Sequence, residues 1–127
     1  MSGQAKPAAR PGLSGEARAC DYLRSRGYAI LARNFRTRFG EVDIVARKDG
    51  VTVFVEVKER EGDSHGGALD AVTRGKMRRV IRAATAYAAA HGLMETPLRF
   101  DVIAIDIVAN GAVKVRHEAG AFDARGQ

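Results

Sequence analysis

The sequence predicts an α/β domain in which a mixed central sheet is flanked by helices, with the element order αβββαββ. Two observations carry this prediction. Segments rich in Val and Ile have the length and composition of strands, and two of them meet at an Asp49-Gly50 pair that is typical of a tight hairpin turn. Two other segments place apolar residues at helical spacing. A chain of 127 residues is the usual size of one domain with one core.

The first helix is predicted from its ends. Ser14 can cap the N-terminus of a helix that runs to about Arg26, and Gly27 supplies the C-terminal stop. On this helix Cys20 and Leu23 share one stripe, which predicts that they face the core.

Three strands should follow. Residues 28–36 predict the first strand, and residues 40–46 and 51–58 predict the second and third around the Asp49-Gly50 turn. A polar, Gly-rich loop comes next.

A second helix is predicted from Leu69 to His91, where Gly92 ends it. Its apolar side consists of Met77, Val80, Ile81, Ala84 and Ala88. Two more strands are then expected around Asn110-Gly111.

The domain boundaries follow from composition. Residues 1–13 are rich in Pro, Gly and Ala, and we expect a flexible N-terminal tail there. The single domain then covers residues 14–122, and residues 123–127 form a short C-terminal tail.

The composition also restricts the environment and the partners. The sequence has one cysteine, so no disulfide can form within the chain, and no apolar run approaches the length of a membrane span. No secretory signal is apparent. We therefore expect a soluble cytoplasmic protein that does not enter a membrane. The net charge of +6 and the pI near 10.0 favour a polyanionic partner such as nucleic acid.

The hairpin brings carboxylates together. If Lys48 pairs with Val51 across the two-residue turn, the same register places Asp43 opposite Glu56. The same register places Glu41 opposite Lys58. The opposite face is then entirely apolar, with Val42, Ile44 and Ala46 meeting Val57, Val55 and Val53.

Two facing carboxylates destabilise a sheet unless a proton or a cation lies between them. Ligands that are all oxygen favour Mg²⁺ or Mn²⁺ over Zn²⁺, and Lys58 is placed to hold or activate an attacking water. The alternative is a solvated charged surface. An exposed face, however, would usually alternate its charges across the strands, and Asp43 and Glu56 do not.

These residues resemble a known motif. The pattern G-E-x-D followed by x-E-V-K, preceded by a helix with an early Glu, is similar to that of the PD-(D/E)XK nuclease superfamily, although Val42 stands where the motif name has Pro. More closely, residues 15–60, the later VTRGKMRRV and RFDVIAI, and the final AF resemble the YraN-like family of bacterial proteins. The resemblance covers about residues 13–122. It implies a restriction-endonuclease-like fold close to archaeal Holliday-junction resolvases.

The resemblance also implies roles for single residues. Asp43 and Glu56 would be metal ligands, together with the carbonyl of Val57, and Lys58 would be the catalytic lysine. Glu16 would be the acidic residue that the first helix contributes. From its position alone, Glu16 could equally be a first-turn acid stabilised by the helix dipole.

Two further assignments remain open. Glu41 is either a further metal ligand or the salt-bridge partner that aims Lys58, and we favour the second. The second helix has a basic run without acidic residues, which predicts contact with phosphates, or else a solvated helix surface. The run consists of Arg74, Lys76, Arg78, Arg79 and Arg82.

The predicted function is a Mg²⁺-dependent, endonuclease-like phosphodiesterase that acts on DNA, with branched or junction DNA as a candidate substrate. The alternative is a non-catalytic DNA-binding or adaptor protein on a nuclease scaffold. A hydrolase of small phosphorylated molecules would need a closed apolar pocket, of which the sequence, with no Trp, gives no sign. Symmetric cutting of both strands would require a homodimer.

Overall fold

The computed structural model describes residues 14–62 and 67–125. The elements in chain order are α1 Gly15–Ser25, β1 Ala29–Thr37, β2 Gly40–Lys48, β3 Val51–Glu61, α2 Arg74–Ala90, β4 Leu98–Ile107 and β5 Val113–Phe122. The predicted order αβββαββ is confirmed. The predicted tail at residues 1–13 lies outside the described residues, as does the end of the predicted C-terminal tail at residues 126–127.

The five strands form one mixed sheet in the order β1-β2-β3-β4-β5. Only β3 and β4 run parallel among these pairs, and α2 makes the crossover that a parallel connection requires. The other neighbouring strands are antiparallel. This five-stranded α/β arrangement, with a helix on each face, agrees with the restriction-endonuclease-like fold that the sequence predicts.

Each face of the sheet carries its own apolar cluster. The α1 face buries Ala19, Cys20 and Leu23 against strand residues that include Ile44 and Val55. The α2 face is larger. Its buried residues include Val42, Val45, Phe54, Met77, Val80, Ala84, Tyr87, Phe100 and Val102.

The first helix has the ends that the sequence predicts. The Ser14 hydroxyl accepts a hydrogen bond from the Ala17 N–H at 3.1 Å, and the helix ends at Ser25. Gly27 follows with a φ of +90°, a conformation that favours glycine. Cys20 and Leu23 are buried, as expected for core contacts.

The second helix starts later than predicted. It begins at Arg74, not at Leu69, and the hydroxyl of the preceding Thr73 accepts a hydrogen bond from the Lys76 N–H at 3.1 Å. Residues Leu69–Ala71 form a separate 3-10 turn, because Val72 is extended and interrupts the helical path. Neither helix within residues 14–62 and 67–125 is long and apolar enough to cross a bilayer.

The β2–β3 turn matches the prediction. Asp49 and Gly50 both have positive φ, at 51° and 78°, as a two-residue hairpin turn of the favoured twist requires. The ladder runs from the Lys48–Val51 pair to the Ile44–Val55 pair in the predicted register.

Candidate active site

The two strands of the hairpin separate where the predicted carboxylates lie. The ladder between β2 and β3 ends at the Ile44–Val55 pair. Beyond it β2 continues beside β1, and β3 continues beside β4, where Glu56 is level with Val102. Asp43 and Glu56 therefore lie at a fork between the strands, immediately past the last paired residues.

Asp43 uses one of its oxygens to hold the fork. Its Oδ2 accepts a hydrogen bond from the Val57 N–H at 2.8 Å. That N–H belongs to the side of β3 from which β2 has departed, so a side-chain oxygen satisfies it in place of a strand carbonyl. The bond also fixes the Asp43 carboxylate beside Glu56.

The predicted wholly apolar face of the hairpin is wrong at Val42. Val42 lies in the α2-side cluster together with Val45, whereas Ile44 lies on the α1 side. A regular strand would place Val42 and Ile44 on the same face, so the alternation of β2 breaks at Asp43. The cause is packing. The backbone of Gly40 lies so close to α2 that any side chain there would overlap the Arg79 carbonyl oxygen. The free end of β2 is thus pressed against α2.

Glu56 is buried and incompletely satisfied. The residue is 5% exposed, and its Oε1 has no hydrogen-bond partner within the described part of the chain. Its Oε2 lies 3.7 Å from the Lys76 ammonium. A buried acceptor without a donor is costly, which makes this oxygen a place for a proton or a cation.

The pKa values of the pair reflect the same shortage of donors. Burial raises the pKa of Glu56 to about 8, with a further rise from the charge of Asp43, while Lys76 lowers it. Burial also raises the pKa of Asp43, against the hydrogen bond from Val57. At neutral pH the pair therefore holds a proton that neither carboxyl would keep in water.

The donor set at the fork fits a hard divalent cation. Within residues 14–62 and 67–125 no group of three or more His, Cys, Asp or Glu side chains converges, so two carboxylates are the main ligands available. Mg²⁺ is commonly held by one or two carboxylates and several waters, and accepts phosphate oxygens as well. Asp43, the unsatisfied Glu56 Oε1 and the backbone of Val57 match those requirements, also for Mn²⁺.

An open cleft of about 370 Å³ gives access to the carboxylates. Its lining consists of Asp43, Glu56, Val57, Lys58, Ala71, Val72, Thr73 and Lys76. Lys58 is exposed at this cleft, and no ion pair within the described ranges holds its ammonium. The structure thus brings together five of the predicted site residues, namely Asp43, Glu56, Val57, Lys58 and Lys76.

The predicted salt bridge between Glu41 and Lys58 is wrong. Glu41 instead lies 3.7 Å from the Lys76 ammonium and 3.9 Å from the guanidinium groups of Arg36 and Arg79. The reason is again the fork, because β2 turns towards α2 before Glu41 could face β3. Glu41 therefore supports the site through Lys76.

Glu16 occupies a different position from the other predicted residues. It is not among the described residues that line the cleft, and its Oε1 accepts hydrogen bonds from Arg33 Nε and Asn34 Nδ2, both at 3.0 Å. Its charge still adds to the rise in the Asp43 pKa, after the larger effect of burial. Asn34 was not among the predicted site residues. The backbone of Asn34 has a φ of 53°, a conformation that Asn tolerates better than most residues, so its residue type is the one indication in the sequence of a special position.

The basic residues of α2 divide into two groups. Arg74, Arg78, Arg79 and Arg82 are exposed, whereas Lys76 is half-buried and reaches both Glu41 and Glu56. The sequence predicted Lys76 as a phosphate contact and gave no sign of its place at the carboxylates, which depends on how α2 packs over the fork. The spacing of Arg74, Arg78 and Arg82 puts them along one side of the helix.

Comparisons with known proteins agree on one family. Residues 15–105 match the model described as uncharacterised protein family UPF0102. A UPF0102 protein of Anaeromyxobacter dehalogenans is 47% identical over 116 residues, which cover 91% of this chain and 86% of that protein. The UPF0102 proteins of Symbiobacterium thermophilum and Syntrophotalea carbinolica are 44% and 48% identical to this chain. Each alignment covers 91% of this chain, and the two alignments cover 98% and 93% of those proteins.

These matches confirm the YraN-like resemblance, and with it a place in the PD-(D/E)XK-like nuclease superfamily. The chain belongs to the UPF0102 family.

Proposed function

We propose that this protein is a metal-dependent endonuclease of the cytoplasm that hydrolyses phosphodiester bonds in DNA at the cleft beside Asp43 and Glu56. The observation that carries this proposal is the buried, unsatisfied Oε1 of Glu56. It lies beside a second carboxylate, in an open cleft that also contains the exposed Lys58. Pairs of titratable groups with strongly shifted pKa values in a cleft are typical of catalytic sites.

The carboxylates and the lysine have separate roles. Asp43, Glu56 and the Val57 carbonyl would hold Mg²⁺ or Mn²⁺, which when bound supplies Lewis-acid stabilisation of phosphate charge and acidifies a bound water. Lys58 donates a hydrogen bond that orients the attacking water in line with the leaving oxygen. Its ammonium also offsets negative charge on the phosphate.

Two other acidic residues position the site. Glu41 and Glu56 share the Lys76 ammonium, so Glu41 draws Lys76 away from full neutralisation of Glu56. Glu16 holds Arg33 and Asn34 at the β1 side and adds negative charge near Asp43. We propose that Glu16 contributes to catalysis indirectly, through the negative charge that it adds near Asp43.

The exposed cations of α2 would bind the DNA backbone. Arg74, Arg78, Arg79 and Arg82 offer contacts to phosphates, and a chain with a net charge of +6 attracts DNA at long range. Such contacts follow the shape and charge of the duplex, not its sequence. Branched or junction DNA is therefore a candidate substrate, and symmetric cutting of two strands would use a homodimer.

One observation favours a second candidate function, a non-catalytic DNA-binding or adaptor protein. The Lys76 ammonium already lies 3.7 Å from Glu56, so the carboxylates have a cation from the protein itself. A scaffold that had lost its metal could be stabilised in this way. Cleavage, as distinct from binding, separates the two functions.

The test is a cleavage assay on single-stranded, duplex, flap and four-way-junction DNA, with Mg²⁺ and with EDTA. We expect wild-type protein to cleave at least one of these DNAs with Mg²⁺ only, and Lys58→Ala to lose about 10²-fold or more in rate while binding the DNA normally. Lys114→Ala, which removes the same charge from β5, is the matched control.

Three outcomes are informative. Equal cleavage by wild type and Lys58→Ala would dismiss Lys58 as catalytic. Tight binding of these DNAs without any metal-dependent cleavage would favour the adaptor function. Absence of both binding and cleavage would reject both functions.

A further inference from the structure

The turn between β1 and β2 exposes an aromatic ring. Phe39 is 60% exposed, more than Leu31 at 44% or Met94 at 53%. Single exposed apolar residues are common and need no explanation by themselves. Phe39 differs because of its support and its neighbours.

The backbone under Phe39 is held in place. The Thr37 hydroxyl oxygen accepts hydrogen bonds from the N–H groups of Phe39 and Gly40, both at 3.1 Å. The same hydroxyl donates to the Gly40 carbonyl at 3.2 Å, and Gly40 packs on the backbone of Arg79. The ring is therefore presented to solvent on a rigid support, which lowers the entropy lost when something stacks on it.

The ring adjoins an apolar groove and an arginine. Phe39 lines an open groove of about 620 Å³ together with Ile81, Arg82, Thr85, Ala86 and Ala89. The Arg38 guanidinium lies over the Phe39 ring, 5.2 Å from its centre. No acidic residue is among the described lining residues. A flat apolar surface beside arginines matches a nucleobase attached to its phosphate.

The groove also lies at a useful distance from the cleft. Phe39 lies in the turn immediately before β2, and Asp43 lies three positions beyond Gly40 in that strand, about 10 Å along it. One strand of DNA rises about 3.4 Å per nucleotide, so the groove and the cleft are a few nucleotides apart. Both sites adjoin α2, since Glu41 contacts Lys76 and Arg79 between them.

We propose that Phe39 stacks on an unpaired base of the bound DNA strand, and that the protein thereby selects DNA with unpaired nucleotides near the cut. This inference rests on the DNA binding of the proposed function. A fully paired duplex keeps its bases stacked on one another and offers none to the ring. Arg38 and Arg82 hold the phosphates that flank the stacked base.

The experiment compares labelled oligothymidylate with a blunt-ended, fully paired DNA duplex of equal length, by fluorescence anisotropy. We expect Phe39→Ala to weaken binding of oligothymidylate by about 5- to 150-fold, the range for one stacked base, and to leave binding of the duplex unchanged. The slope of log affinity against log salt should stay constant, because the substitution removes no charge.

Two matched variants control for structure. Phe39→Trp keeps a flat ring and should restore binding of oligothymidylate, whereas a packing role would not be rescued by a larger side chain. Met94→Ala removes another exposed apolar side chain and should behave as wild type. Equal thermal melts of wild type and Phe39→Ala would show that the fold is intact.

The outcomes separate this inference from the proposed function. If wild type binds neither DNA, the stacking role fails, and cleavage of flap and four-way-junction DNA still decides the proposed function. If Phe39→Ala binds oligothymidylate as wild type does, or loses both DNAs equally, the stacking role is wrong, and Mg²⁺-dependent cleavage still decides the nuclease. A labelled peptide of alternating Glu and Leu is the last arm. Binding of this peptide, and not of oligothymidylate, that depends on Phe39 would assign the groove to a protein and overturn the inference.

Discussion

Two buried carboxylate sites on the same sheet have opposite properties. Asp101 on β4 is fully buried, yet it accepts hydrogen bonds from Arg99 Nε and Nη2 at 2.8 Å and from the Gly120 N–H at 3.0 Å, and His117 Nε2 lies 2.7 Å away. Burial pushes the pKa of Asp101 upwards, but these partners outweigh it and leave the pKa below its ordinary value. At Glu56 burial prevails, and the pKa rises to about 8.

The difference lies in the supply of donors. Asp106, also fully buried, is held by Arg60 through two hydrogen bonds at 2.8 and 3.4 Å. Both β4 carboxylates are thus complete within the protein. Among the residues that the structure describes, the fork leaves Glu56 Oε1 without a hydrogen-bond partner, so of these three carboxylates Glu56 is the one that can accommodate an outside proton or cation. Incomplete satisfaction, not burial, marks the site that is available for chemistry.

Removal of a satisfied carboxylate should have the largest effect on stability. Asp101→Ala leaves Arg99 and His117 without their buried partner, and we expect a loss of about 3 kcal/mol in urea-induced unfolding. This is the lower end of the usual range because Arg99 is 33% exposed and can reach water. Asp21→Ala, which removes only an exposed ion pair with Arg24, should cost less than about 0.5 kcal/mol. Equal costs would contradict the contrast between the two sites.

Mg²⁺ should change the stability of the fork by nearly as much as the loss expected for Asp101→Ala. In EDTA, Asp43→Asn should be as stable as wild type or up to about 1 kcal/mol more stable, since Asn can still accept from Val57 and the buried charge that the pair carries is gone. Mg²⁺ at about a hundredfold excess over Kd should stabilise wild type by about 2.7 kcal/mol, and the variant far less. Thermal melts at matched ionic strength measure both effects.

The opposite result for Asp43 would be equally clear. A variant that is strongly destabilised in EDTA, with both proteins indifferent to Mg²⁺, would make Asp43 a structural acceptor like Asp101. The adaptor function would then be the better one.

The pH dependence of stability should have opposite signs at the two sites. Because the Glu56 pKa is raised from 4.5 to about 8, the folded protein binds its proton more tightly than the unfolded chain. Stability should therefore be greatest below about pH 4.5 for this group and should fall as pH rises towards 8, by up to about 1.4 kcal/mol per pH unit. Asp101, with a lowered pKa, stabilises above its ordinary value of 3.8 and loses that contribution as pH falls further.

Urea midpoints in EDTA across this pH range check the prediction. Glu56→Gln should flatten the decline above pH 4.5, and an identical decline in wild type and variant would show that another group is responsible.

The smallest effect concerns the cation at the fork. Lys76 lowers the pKa of Glu56, so Lys76→Gln should raise it further, by up to about one pH unit. A carboxyl-carbon NMR titration reports the shift directly. Arg82→Gln, on an exposed part of the same helix, should leave the Glu56 titration unchanged, and an equal shift in both variants would point to a general charge effect.

Local patterns were sufficient for most of the fold. The Ser14 cap and the hairpin register up to Ile44 depend on neighbouring residues and on one turn, so the sequence predicts them correctly. The register rule failed for Val42 and Glu41 because it assumes that two strands stay paired, whereas β2 leaves β3 to pack on α2.

The missed contacts share one physical cause. His117 lies against Asp101, and its Nδ1 lies 3.1 Å from the Tyr22 hydroxyl. These partners are separated by many residues in the chain, and no periodicity links them. The Lys76 contact with Glu56 was missed for the same reason. Asp43 and Glu56, by contrast, adjoin one turn, and the sequence could predict that they approach each other.

The contact of Gly40 with the Arg79 carbonyl fixes the position of the β1–β2 turn relative to α2. Any side chain at position 40 would overlap that carbonyl, so substitution there cannot change the distance between Phe39 and Asp43. Only a change in the number of residues between them would alter it. Pairs of residues would preserve the alternation of the strand, so a homologue with a different reach should differ by two residues at this point, or by four.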